Sequence, residues 1–158
     1  MNVKSVIETA ISEARARELL IELVRVPSPQ TDRFEAEPLL AEFIRTAIEP
    51  RLRDAGIADI RYDAMNNLIA QYGADSSGKS LMFIGNAMNQ PQATMTNAYD
   101  GDVIDGAALD LPGEVVLGKG ASEQKANLAA MLHAFETIIA SGIPVNGKLI
   151  FVCCVSGE

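Results

Sequence analysis

Four scarcities frame this sequence of 158 residues: one histidine, two cysteines, few aromatics and no long apolar run. No apolar stretch approaches the roughly 20 residues needed to cross a bilayer. Residues 1–17 mix Lys4, Glu8, Glu13 and Arg15 into their apolar positions. That excludes the uninterrupted apolar core of a signal peptide and makes the cytoplasm the expected location. The two cysteines, Cys153 and Cys154, are adjacent and cannot staple distant parts of the chain together. On a strand they point to opposite faces and read as small buried residues. Basic residues are outnumbered, 13 against 21 acidic, for a net charge of -8. A field of that sign repels phosphate backbones and anionic membranes, so neither nucleic acid nor membrane is an expected partner. Its main effect is solubility.

What is present is ordinary for one globular domain: 48% hydrophobic, 22% charged and 5% aromatic residues, in a chain long enough to bury a sizeable core. Between residues 6 and 24, Val6, Ile7, Ala10, Ile11, Ala14, Leu19, Leu20 and Leu23 recur at helical spacing, and Pro27 and Pro29 end that helix. A second helix is expected from Asp32, with Glu35 as its capping-box partner, carrying Leu39, Leu40, Phe43, Ile44, Ala47 and Ile48 and bent at Pro50. Strands are predicted over 57–62, 68–72 and 81–84, and residues 74–79 form a polar turn. Residues 86–118, rich in Asn, Asp, Gly and Pro, read as a long functional loop. A clear helix follows over 126–139, capped by Ser122 and closed by Gly142 and Pro144. The single histidine, His133, lies mid-helix and reads as a packing or surface residue. Residues 148–155 form a last strand, apolar enough to be buried on both faces.

The expected fold class is therefore α/β, one unit over 1–158 with a mixed central sheet flanked by helices. The expected core is 149–155, 81–84 and one face of 126–139. A central strand needs neighbours and covering helices, and few candidates remain before Glu158, so the domain is expected to be incomplete as an isolated chain.

Ligands of open α/β sheets gather outside the carboxyl ends of the strands. Three stretches belong there: 85–88, 120–123 and 156–158. Glu123 and Glu158 are their carboxylates, and two carboxylates from separate elements suit a divalent metal bound through oxygen. The bland alternatives stand beside this: Glu123 also suits the first turn of any helix, where its charge meets the positive end of the dipole, and Glu158 can be a solvated terminus.

At these positions a resemblance appears. Leu23-Val24-Arg25-Val26-Pro27-Ser28-Pro29 resembles the "L-V-x-I-P-S" segment of the aminoacylase, acetylornithine deacetylase, succinyl-diaminopimelate desuccinylase and carboxypeptidase G family of metallo-amidohydrolases. Asn66-Asn67-Leu68-Ile69-Ala70 is similar to its "G-N-x-I-A" strand, and 81–91 lies where it has an apolar strand followed by "G-H-x-D-x-V-P". Asp105-Gly106 and Gly118-Lys119-Gly120-Ala121-Ser122-Glu123-Gln124-Lys125 resemble its "D-G … G-R-G-A-x-D-x-K"; 147–158 resembles its strand ending in "D-E-E". The segments occur in order over nearly the whole chain and match the N-terminal half of the family's catalytic domain.

The resemblance implies a fold like that of the zinc exopeptidases. It also implies hydrolysis of amide bonds in N-acyl or N-carbamoyl amino acids or small peptides. Two zinc or similar ions would polarise the carbonyl and supply hydroxide, with a glutamate as general base. Carried over residue by residue, the metal positions fall on Asn86, Glu123 and Glu158. The first histidine ligand is replaced by Asn86, a weak neutral donor, and the aspartate that orients it by Met88. The bridging aspartate becomes Glu123. The paired glutamates fall on Gly157 and Glu158, which removes the base and keeps a ligand; shifted by one, Glu158 is itself the base. Lys125 matches the family lysine in a structural place, and Lys119 replaces its arginine. With His133 remote, a family-type zinc site is not expected from this chain alone.

Three readings follow. The chain is part of an amide hydrolase of oligomeric build, completed by a second chain or by the missing C-terminal half. Alternatively it is a non-catalytic structural or regulatory subunit, or a truncated family member.

Overall fold

The computed structural model describes residues 3–74 and 78–157. Where one long helix is expected there are two, α1 (Val3–Ala10) and α2 (Glu13–Val24). The break falls at Ser12, whose hydroxyl accepts the Arg15 N–H as an N-cap at 3.2 Å, while its own N–H donates to His133 Nε2 at 3.0 Å. The next helix does not begin at Asp32. A 3-10 turn occupies Phe34–Ala36, and α3 (Pro38–Phe43) starts with Pro38 in its first turn and Glu37 as its cap. A π-helical turn over Ile44–Ile48 leads into α4 (Glu49–Asp54), so that Pro50 again sits in a first turn, where its missing N–H costs little.

The main sheet joins β1 (Asp59–Tyr62), β2 (Leu68–Ala74), β3 (Ser80–Asn86) and β6 (Gly147–Cys154) in the order β1-β2-β6-β3. The first three run antiparallel in turn and β3 joins β6 in parallel, so the sheet is mixed and β6 is an inner strand. The polar turn expected at 74–79 lies partly outside the described residues. Inside the expected loop 86–118 the chain forms a small hairpin of β4 (Asp102–Asp105) and β5 (Glu114–Leu117) around a 3-10 turn at Gly106–Leu109. Strands of four residues with exposed partners have no periodic signal long enough to read.

Helix α5 (Gln124–Ala140) crosses the sheet. Leu128, Leu132 and Phe135 are buried along one stripe, and the Phe135 ring meets Phe83 and Phe151 edge-on at 5.8 and 5.4 Å. Gly85 permits this approach, since a Cβ there would lie 2.8 Å from Leu128 Cδ2. Leu68, Ala70, Leu149, Phe151 and Cys153 share the sheet face that joins the helices in a single core. The alternate face, carrying Ile69, Ile150, Met82 and Ile84, receives no helix among the described residues. Met82 is 52% and Ile84 62% exposed on edge strand β3, with Leu81 also exposed. The expectation that 81–84 is core thus holds only for the half-buried Phe83. No helix among the described residues is long and apolar enough to cross a membrane.

Candidate functional site at the carboxyl ends of β3 and β6

Parallel pairing sets Asn86 beside Cys154, so both strands release their chains on one edge of the sheet. The Ala87 N–H donates to Cys154 O at 2.7 Å and holds the two exits together. The chain leaving β3 is pinned to the segment after α2: Asn89 N–H donates to Ser28 O and Gln30 N–H to Asn89 O, both at 2.9 Å. The buried Ser28 hydroxyl donates to Asn89 Oδ1 at 2.9 Å. These bonds give the "P-S" segment a structural purpose, since Ser28 is spent on holding Asn89.

Helix α5 points its N-terminus into the same crevice. Lys125, fully buried, donates through Nζ to Val26 O at 2.8 Å and Val24 O at 3.4 Å. It lies 5.3 Å from the centres of the Phe43 and Tyr99 rings. Burial lowers its pKa to about 7, against the pull of two carbonyls and two ring faces toward the charged form. Its neighbour Gln124 accepts from Asn86 Nδ2 at 3.5 Å. A cavity of about 180 Å³ lies here, lined by Met88, Asn89, Gln90, Glu123 and Gln124. Glu123 is exposed, and its side chain does not cap α5.

Glu123 lines this cavity and Asn86 reaches its wall through Gln124, while Glu158 lies outside the described residues. Met88 is a participant that residue type did not reveal. It is 4% exposed, and its sulfur accepts from Gly157 N–H at 3.3 Å and from the Ser156 hydroxyl at 3.9 Å. Gly157 packs on Asn86 so closely that a Cβ would come within 2.5 Å of Asn86 Nδ2. A thioether and a glycine thus close the space beside Asn86. His133 is far from the crevice, held at its Nε2 by Ser12.

These donors do not fit a zinc or similar ion. Among the described residues no group of three or more His, Cys, Asp or Glu could hold a metal. Asn86 is a neutral donor turned toward Gln124, and the Met88 sulfur is taken by backbone and hydroxyl donors.

Comparison with known proteins places this geometry. The chain is 31% identical over 137 residues to succinyl-diaminopimelate desuccinylase of Pseudomonas syringae pv. syringae (strain B728a), a match covering 85% of this chain and 33% of that protein. That likeness bears out the resemblance to the metallo-amidohydrolase family to which the sequence motifs point. No family model matches the chain. The fold is shared with a di-peptidase of Saccharomyces cerevisiae, with TM-score 0.70 and 16% identity, over 96% of this chain and 34% of the other. Human carnosine dipeptidase 1 superposes with TM-score 0.73 and 17% identity over 96% and 34%. The chain spans about a third of the length of each of these relatives. The likeness in fold extends over the strands and helix that form the crevice, while Asn86, Met88 and Gly157 leave it without a metal-binding set among the described residues.

Proposed function

We propose that this chain is one part of a hydrolase of amide (C–N) bonds in small N-acyl or N-carbamoyl compounds or peptides, and that its crevice is completed by a second polypeptide or by a further segment of the same protein. The observation that carries this reading is the bare side of β3. Among the described residues its outer edge is unpaired, and its second face exposes Met82 and Ile84 immediately before Asn86. A parallel strand is ordinarily covered on both faces. Burying each such side chain contributes roughly 1.5–3 kcal/mol, so a polypeptide seated there is held beside the site. The threefold greater length of the relatives, named as a desuccinylase and dipeptidases, supports both the reaction class and the need for more chain. In this reading Asn86 and Glu123 serve the amide at the crevice, Glu158 keeps the role that the resemblance implies, and the completing polypeptide brings the remaining polar groups.

One observation favours a second reading, a non-catalytic subunit: Met88 and Gly157 fill the space beside Asn86. Native mass spectrometry of the protein purified from its own source separates the two. A complex with a second chain, or a longer chain, with one or two metal ions is the expected result, and Glu123→Gln should then remove metal and amide hydrolysis together. A complex with neither metal nor amide hydrolysis establishes the non-catalytic subunit instead, and a solitary chain of this length overturns both.

A further inference from the structure

Beside the crevice, and touching it only through Gln90, lies a larger cleft of about 500 Å³ between two loops. Its base is rigid, because the parallel bridge of Pro29 with Asn89 and the bonds from Gln30 and Asn89 lock the loops together. The outer loop is fixed as firmly. Thr31 donates its hydroxyl to Glu37 Oε2 at 2.7 Å and receives the Arg33 N–H, and the Phe34 N–H donates to Thr31 O. On this frame Phe34 adopts φ +50°, a left-handed conformation that is an outlier for a bulky residue. The strain does not serve the core, because Phe34 remains 55% exposed at the rim of the cleft. Backbone strain retained at an exposed position points toward function.

The chemistry of the walls specifies a ligand. Pro29 and Pro91 offer apolar surface, Gln30 and Gln90 are neutral, and Asp32 is the sole charged lining residue. Asp32 makes no ion pair or hydrogen bond among the described residues, while the nearby Arg33 acts on Glu37. An aromatic face and an unpaired carboxylate in one cleft attract a cation on an apolar stem. The net charge of -8 draws such a ligand in and repels anions.

We propose that the cleft of Pro29, Asp32, Phe34 and Pro91 binds an alkylammonium or guanidinium group, carried by a small amine or by a basic peptide side chain. The cleft does not depend on the chain's being a hydrolase, and its test reads binding alone. The ¹⁵N-labelled chain is titrated with n-butylammonium, butyrate, 1-butanol and N-acetyl-lysine N-methylamide while backbone amide shifts are followed. Saturating shifts at Gln30, Thr31, Asp32 and Gln90 are expected with n-butylammonium and not with butyrate or 1-butanol. Tighter binding of the blocked lysine identifies a peptide as the source, and weaker binding a free amine. Asp32→Asn should weaken n-butylammonium at least threefold, Phe34→Leu about threefold, and Phe34→Tyr hardly at all. Phe34→Gly separates binding from folding, since glycine accepts the left-handed conformation and should raise the melting temperature while losing affinity. Equal shifts from 1-butanol or butyrate, shifts away from the cleft, or unchanged affinity in Asp32→Asn and Phe34→Leu overturn the proposal.

Discussion

Lys125 concentrates the physics of this molecule in one side chain. It is fully buried in the first turn of α5 and donates to Val24 O and Val26 O rather than to a carboxylate. It thereby ties the end of α2 to the helix that begins at Gln124, directly after Glu123. A buried ammonium without a counter-ion is costly, so its long stem and its charge contribute with opposite sign. Lys125→Met keeps the volume and removes the charge, and should cost no more than about 1.5 kcal/mol. Lys125→Ala removes the stem and opens a cavity between Phe43 and Tyr99, and should cost about 2–5 kcal/mol. Urea unfolding of the two variants decides the matter. If methionine proves as damaging as alanine, the carbonyl bonds outweigh the packing and this account of the residue fails.

At the scale of elements, α4 and β1 are joined by Tyr62, which donates its hydroxyl to Glu49. That bond, opposed by burial and assisted by Arg53, holds the Glu49 carboxyl below its ordinary range. A carboxylate with a depressed folded-state pKa stabilises the fold above its unfolded pKa, and this contribution is lost as pH falls through the folded value. Tyr62→Phe should therefore melt lower than the parent near neutrality and converge on it as the solution is acidified to about pH 3. Melting curves at both pH values test it; a constant difference would assign the effect to packing. The elements themselves were legible in proportion to their length. Helix α5 and strand β6 announce themselves through sustained apolar patterns and were expected within two residues of their observed bounds. The break before Ser12 was not legible, because it is fixed by His133, 121 residues away. Nor was the hairpin of β4 and β5, whose strands are too short for a pattern. That Asn86 ends a strand and Glu123 immediately precedes a helix was legible from the patterns of those two elements. The filling of the crevice by Met88 and Gly157 depends on sulfur geometry and close contact that residue types do not encode.

For the whole molecule the decisive asymmetry is between the two faces of the sheet. One is sealed by α2, α3, α4 and α5, while the other leaves Met82 and Ile84 in solvent at an edge that carries no charged side chain. Uncharged, unprotected edges are templates for strand addition. A Met82→Lys, Ile84→Lys pair places two charges on that face without touching the core. Exposed substitutions of this kind change stability by about 0.5 kcal/mol or less apiece, so the isolated variant should melt within a few degrees of the parent. Its association should nevertheless collapse, because two desolvated ammonium groups would have to be buried against the incoming chain. Sedimentation velocity on the protein isolated with its partner, parent against variant, reads this directly. A variant that stays folded and loses the heavier species places the partner on this face. A folded variant that retains it moves the interface elsewhere and removes the observation on which the completed-hydrolase reading rests.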